Sequence, residues 1–315
     1  MAHYTPIDQN DLAAILSAYA LGLPLDVISP LDGGKANSSY LLTTDTGSYV
    51  ISVCDEKRPD ELELLTGTLE HLAHHGIATT QLVKSSDGRA FIEHNGKPVY
   101  VKHFIEGNVP DSVTPAMVNQ LGVSLARLHA VPPQPYLPEY FSYGIESFTE
   151  IAAESGSFAG WLQEKTQRLS TCIDEKLPKG LIHGDLFIDN SIFQDEELVA
   201  ILDFEEVCNY YLVFDLGMCA AGCCCPSGSL SLPLTGALVA GYQSVRPLCS
   251  LEKELFKLHI EYAATATAFW RYRQFNIRFP NIGSDSLYRE MSSLADQVAA
   301  LSRDNFISEV FQRAS

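Results

Sequence analysis

Apolar positions recur along the chain with two periods, and the change between them divides it. Near the start, Leu12, Ile15, Leu16 and Tyr19 fall three or four residues apart, so residues 8–20 read as a short amphipathic helix. Strand-like runs follow, SSYLLTT at 38–44 and SYVISVC at 48–54, and the Asp-Thr-Gly between them predicts a β-hairpin. The helical period returns in DELELLTGTLEHLAHH, with leucines at 62, 65, 69 and 72. Pro59 suits the first position of that helix and Gly76 its C-terminal cap. Short strands are expected at about 81–84, 90–93 and 98–104.

FIEGN, 104–108, reads as a hinge, and beyond it the helical period takes over. Thr114 is placed to cap a helix that begins at Pro115 and buries Val118, Leu121, Leu125 and Leu128. Further helical patterns cover about 148–173, 233–243, 251–275 and 284–302, and two short strands are expected within 181–206. The fold class is therefore α+β. A small β-rich N-terminal lobe, 1–103, is joined by the 104–108 hinge to a larger, mostly helical C-terminal lobe, 109–315.

Composition narrows the function. A chain of 315 residues with 46% hydrophobic and 19% charged residues is that of an ordinary globular protein. A net charge of -18 argues against nucleic acid as a partner, because phosphate backbones attract basic surfaces. A small-molecule substrate is expected instead. The N-terminus is polar and acidic, unlike a signal peptide, and no uninterrupted apolar run reaches the roughly 20 residues that span a bilayer. No membrane partner and a cytoplasmic location are expected. The eight cysteines include no Cys-x-x-Cys pair, and Cys223, Cys224 and Cys225 are adjacent; they read as buried free thiols. Oligomeric state has no signal in the sequence.

The chemistry concentrates in LIHGDLFIDNSIF, 181–193, and AILDFEEV, 200–207. Carboxylates set among apolar residues need a partner, a hydrogen-bond network or a cation. A short loop brings Asp185 and Asn190 to one side of a site, and a hairpin over about 191–202 returns Asp203 to it. Oxygen ligands from Asn190 and Asp203 suit Mg²⁺, which takes few protein ligands and completes its shell with phosphate and water. Asp185 is then left to accept a hydrogen bond from an attacking hydroxyl, as in the protein-kinase pattern of Asp-x-x-x-x-Asn followed by a second aspartate.

IHGDLFIDN, AILDFEE and FDLG together resemble the phosphotransferase superfamily of choline kinases, aminoglycoside phosphotransferases and type II homoserine kinases, and the likeness covers essentially the whole chain. ANSSYLLTT, YVISVCDEKR, HLAHHGI and GYQSVRPL are most similar to the homoserine kinases in order and spacing. The resemblance implies a bilobal protein-kinase-like fold using ATP and Mg²⁺. It implies that Asp185 is the catalytic aspartate, that His183 braces its loop, and that Asn190 and Asp203 hold the metal. Asp215, in FDLG, would hold the catalytic loop through backbone N–H groups. His129, at a helix end, reads as a cap or core residue.

One position departs from the superfamily pattern. Where it has a phosphate-binding lysine in the third strand, this chain has Ser52; the resemblance to homoserine kinases implies a hydroxyl residue there. Lys35, and Lys57 with Arg58, are the candidate replacements, each with a solvated surface charge as its alternative reading. Gly33 and Gly34 permit close approach to phosphates, or serve an ordinary hairpin turn. Glu61 and Glu63 are candidates for the helix glutamate of the kinase template. For the acceptor, Arg246 is a candidate carboxylate clamp, with Arg271 and Arg273 as alternatives, Trp270 or Tyr272 as a wall and Glu205 for an ammonium group. The expected activity is phosphorylation of a primary hydroxyl, with L-homoserine favoured. The alternatives are choline, an aminoglycoside or another amino alcohol, or a silent nucleotide-binding regulator.

Overall fold

The structure, a computed structural model, describes residues 5–31, 37–55, 58–151, 156–280 and 283–312. The chain divides into two units, Met1–Gly107 with Ala200–Leu202, and Asn108–Val199 with Asp203–Ser315.

In the first unit, helix α1 (Gln9–Tyr19) starts where the Asp8 carboxylate accepts from the N–H groups of Asn10 and Asp11. The Asp11 side chain accepts from the Asp8 N–H in return, which satisfies donors that a helix start leaves open. An antiparallel sheet follows: β1 (Ser29–Pro30), β2 (Asn37–Thr44), β3 (Gly47–Cys54), β4 (Leu82–Val83), β5 (Ile92–His94) and β6 (Lys97–His103). Its order is β1-β2-β3-β6-β4, with β5 also pairing β6. β2 and β3 form the expected hairpin, with Thr44 opposite Gly47. Alternation sends Leu42, Ile51, Val53, Val99 and Val101 to one face, where they pack with Ile15 and Tyr19 of α1. The Tyr19 hydroxyl, which that burial would strand, donates to the Val99 carbonyl at 2.8 Å. Helix α2 (Pro59–His74) begins at the expected proline, and Gly76 follows it with φ +73°.

The second unit contains α3 (Pro115–Leu128), α4 (Ser157–Leu169), α5 (Leu212–Cys223), α6 (Leu232–Gln243), α7 (Ser250–Tyr272), α8 (Tyr288–Ala300) and α9 (Arg303–Ile307). Strand β7 (Lys179–Ile182) pairs with β10 (Cys208–Tyr211), and β8 (Ser191–Gln194) with β9 (Glu197–Ile201). The continuous helix expected over 148–173 is instead a 3₁₀ turn at Ile145–Glu150 and the shorter α4, which starts after Gly156. The first piece buries only Phe148, whereas α4 buries Phe158, Ala159, Leu162, Lys165 and Leu169 on a helical period. Helix α7 passes into a π-helical turn at Arg273–Arg278. No helix among the described residues is long and apolar enough to cross a membrane.

α5 is absent from the sequence expectations. Ten consecutive residues, Leu212–Ala221, are buried in it, so there is no polar face to give a helical period. Close packing of backbones surrounds it: a Cβ at Gly217 would lie 2.7 Å from the His259 carbonyl oxygen of α7. α3 and α6 approach still more closely, since a Cβ at Gly122 would overlap the Leu238 carbonyl, and one at Gly241 the Asn119 carbonyl.

Candidate active site

β7 delivers the chain into His183, Gly184 and Asp185. Gly184 has φ +84°, and a Cβ there would stand 2.8 Å from the Glu206 carbonyl oxygen, so neither the conformation nor the space accepts a side chain. Asp215 lies in the first turn of α5 and is fully buried. Its Oδ2 accepts from the His183 N–H at 2.7 Å and its Oδ1 from the Gly184 N–H at 2.8 Å. Nε2 of His129 is a third partner, 3.0 Å from Oδ2. Burial alone raises a carboxyl's pKa, but the hydrogen bonds from His129 and Gly184 outweigh it here and hold Asp215 below the usual range. The loop is thus fastened through its backbone to a buried carboxylate.

The Asp185 N–H donates to Nδ1 of His183 at 3.2 Å. The Asp185 side chain is half-buried, and its Oδ1 accepts from the Tyr143 hydroxyl at 3.0 Å. Burial and then the Asp203 charge push its carboxyl up to about 7; the Tyr143 bond opposes this, and Glu206 and Asp189 add to it. Tyr143 stays a donor, because burial and the Asp185 charge push its hydroxyl well up. Asn190 commits its amide nitrogen to the Asp185 carbonyl at 2.8 Å, which leaves its oxygen to serve as a ligand. Asp203 is exposed and has φ +64°, an uncommon conformation for a residue with a side chain.

This donor set fits a hard divalent cation. The charges of Asp203, Glu206 and Asp189 all bear on Asp185, a local excess of negative charge that a dication would offset, and an amide oxygen sits on the same loop. Among the described residues no group of three or more His, Cys, Asp or Glu is arranged to hold an ion by itself.

The other sequence candidates fall in different places. Gly33, Gly34, Lys35 and Lys57 lie outside the described residues. Ser52 is buried on β3 of the first unit, its hydroxyl 3.1 Å from that of Ser39. Glu61 accepts from the Arg58 N–H at the start of α2, and Glu63 is exposed on the same helix. Glu205 follows Asp203 by two residues and is half-buried. Arg246 donates to Glu252 at 2.8 Å and to the Tyr242 hydroxyl at 3.2 Å. Arg273 pairs with Glu150, and the Tyr272 ring stacks on Phe158. Trp270 lies 6.4 Å, ring to ring, from Tyr143.

Arg271 donates to Glu290 at 2.7 Å and to the Leu287 carbonyl at 3.2 Å. Both members of this ion pair line a cavity of about 100 Å³, together with Phe187 of the catalytic loop, Ala221, Gly222 and Cys225. Sequence reasoning missed Tyr143, Glu206 and Glu290. None lies in a pattern of its own; each is revealed only by what it touches.

Residues 27–248, more than half of the chain, match the model of the phosphotransferase enzyme family. The chain belongs to that family. This phosphotransferase is 33% identical over 269 residues to a homoserine kinase of Chelativorans sp. (strain BNC1), covering 82% of this chain and 83% of the relative. A homoserine kinase of Methylobacterium radiotolerans is 31% identical over 262 residues, covering 80% and 81%. Among solved structures, an amicoumacin kinase in complex with AMP-PNP, Ca²⁺ and amicoumacin has a TM-score of 0.73 at 15% identity, covering 95% of this phosphotransferase and 96% of that chain. A microcompartment-associated aminopropanol kinase has a TM-score of 0.68 at 19% identity, covering 97% and 100%. The fold is the protein-kinase-like α+β fold that the sequence motifs imply.

Proposed function

We propose that this phosphotransferase moves the γ-phosphoryl group of ATP onto the primary hydroxyl of L-homoserine. The carrying observation is Asp185, held by its backbone and raised to about 7 in a field of carboxylates, where it accepts a hydrogen bond from Tyr143. A hydroxyl nucleophile replaces or joins Tyr143 as donor, and Asp185 takes its proton as the new O–P bond forms and the bond from the γ-phosphorus to the β,γ-bridging oxygen breaks, with ADP as the leaving group. Asn190 and Asp203 would hold Mg²⁺, which when bound neutralises charge developing on the phosphates. His183 and Asp215 hold the loop rather than touch substrate. The nucleotide is assigned to the N-terminal lobe, 1–103, and the acceptor to 109–315. Lys57, and after it Lys35, are assigned the phosphate contact that Ser52 does not make. The free thiols are those of a protein kept in the cytoplasm.

The cavity beside the catalytic loop supports an amino-acid acceptor. A zwitterion carries both charges of the Arg271–Glu290 pair, so its carboxylate can take the place of Glu290 at the guanidinium and its ammonium that of Arg271. Choline has no use for the arginine. Glu205 is the alternative partner for the ammonium group.

The test is ADP release with Mg²⁺ and ATP on L-homoserine, L-serine, choline and kanamycin. L-homoserine is expected to give the highest kcat/KM; L-serine, one methylene shorter, is expected to be poor because its hydroxyl stops short of Asp185 when its carboxylate is held. A higher value for choline or kanamycin would overturn the acceptor and leave the kinase reading standing. No release above background on a broad panel would favour a silent regulator.

A further inference from the structure

Behind the catalytic loop a chain of polar side chains runs through the second unit, and every member is at least partly withdrawn from water. Asp215, Tyr242 and Glu252 are fully buried and His129 nearly so; the Arg246 side chain is 22% exposed. His129, which caps the C-terminus of α3, has Nε2 3.0 Å from Asp215 Oδ2 and Nδ1 2.6 Å from the Tyr242 hydroxyl of α6. Arg246, just past α6, donates through Nη1 to that hydroxyl at 3.2 Å and to Glu252 of α7 at 2.8 Å. The other oxygen of Glu252 accepts from the Cys249 N–H at 2.9 Å, so the far end of the chain is fixed to a helix start.

The chain has a direction. A guanidinium only donates and an ionised carboxylate only accepts, so the two ends fix the protons between them. Because Arg246 donates into the Tyr242 oxygen, the hydroxyl proton is free to point at Nδ1 of His129. Nδ1 is then the acceptor, and the ring carries its hydrogen on Nε2, facing Asp215. Asp215 is in turn the acceptor for the N–H groups of His183 and Gly184. Remove the guanidinium and the Tyr242 hydroxyl loses the donor that orients it, so its hydrogen bond no longer steadies Nδ1 of His129. Asp215, which only accepts, keeps the hydrogen on Nε2, but the ring that presents it is held from one side alone.

We propose that Arg246 is a positioning residue of this phosphotransferase: through Tyr242 it holds the ring of His129 in place, and through Asp215 it steadies the backbone that aims Asp185. This rests on the reading of Asp185 as the catalytic group. It gives Arg246 a task incompatible with clamping an acceptor carboxylate, because a guanidinium turned to substrate would release Tyr242 and Glu252.

Steady-state kinetics of Arg246→Ala, Arg246→Lys and Tyr242→Phe, with L-homoserine and MgATP, separate the two roles. Arg246→Ala and Tyr242→Phe are each expected to lower kcat by about tenfold, the equivalent of one buried hydrogen bond, and to leave both KM values within about twofold. Arg246→Lys keeps a donor and should recover most of kcat. The double variant Arg246→Ala/Tyr242→Phe should be no slower than either single one, since both break one chain. Long-range ¹⁵N–¹H spectra of histidine-labelled protein should show the His129 ring resonances unmoved between the parent and Arg246→Lys, and displaced in Arg246→Ala. A raised acceptor KM with kcat unchanged, or an unchanged kcat per folded molecule, would overturn the proposal. If the parent turns over no acceptor, the functional reading fails, and the spectra alone decide the chain: an unaltered His129 signal in Arg246→Ala sinks it. Should Arg246→Ala not fold, Tyr242→Phe carries both measurements.

Discussion

Asp185 is in tension with its surroundings. A carboxyl raised from the ordinary aspartate range to about 7 weakens the folded state once it ionises. The stability it allows is complete below the ordinary range and is lost as pH rises through about 7, by at most about 4 kcal/mol. Asp185→Asn is therefore expected to lower kcat by about a hundredfold or more and yet, in EDTA at pH 7.5, to melt higher than the parent. The difference in melting temperature should vanish near pH 4; a lower Tm for the variant at pH 7.5 would contradict the burial argument. At the nucleotide, Lys57→Ala is expected to raise the KM for ATP and Ser52→Ala to do less, because the Ser52 hydroxyl is already engaged with Ser39. If neither Lys57→Ala nor Lys35→Ala moves that KM, metal and backbone N–H groups carry the phosphates. The acids of the loop stand out in the sequence because they interrupt apolar runs, where a charge needs a reason. Tyr143 does not stand out: its contact with Asp185 joins positions 42 apart, and a tyrosine in FSYGIE looks like any core aromatic.

Elements differ in how openly their sequences declare them. β2 and α2 were legible because each has one wetter and one dry side, while β3, buried on both faces from Tyr49 on, was legible from its strand-forming residues and the turn before it. α5 was not, because burial on all sides erases the contrast that a period needs. The crossing of α3 and α6 is equally silent, although it is the tightest contact between helices described above. Its cause is two glycines, Gly122 and Gly241, each facing the other helix's backbone. Gly241→Ala is expected to destabilise the protein by about 2 kcal/mol or more in urea unfolding, as overpacking does in cores. Gly160→Ala is the control: it lies in α4 with nothing within 4 Å of an added Cβ, and should gain up to about 1 kcal/mol from helix propensity. Equal effects at the two positions would show that the helices part easily.

For the molecule as a whole, charge matters more than any single ion pair. With a net charge of -18 the folded chain repels itself, and salt should relieve this. Raising ionic strength from about 10 mM to about 150 mM, which shortens the screening length from about 30 Å to about 8 Å, is expected to raise Tm at pH 7.5. A fall would mean that pairs such as Lys165–Glu261 outweigh the general repulsion. In the sequence the strand period gives way to the helical one across 104–108. The assignment of Ala200–Leu202 to the first unit was not legible there, since three apolar residues at the end of a strand carry no address. Those three residues mean that the polypeptide leaves the first unit, returns to it, and leaves again. Within it, the Ile201 N–H donates to the Ala78 carbonyl at 3.0 Å. A gene split at codon 107 would therefore yield an amino-terminal fragment without that donor. Each half of such a split would hold one end of that hydrogen bond, so the split gene is expected to express less active enzyme than the whole one.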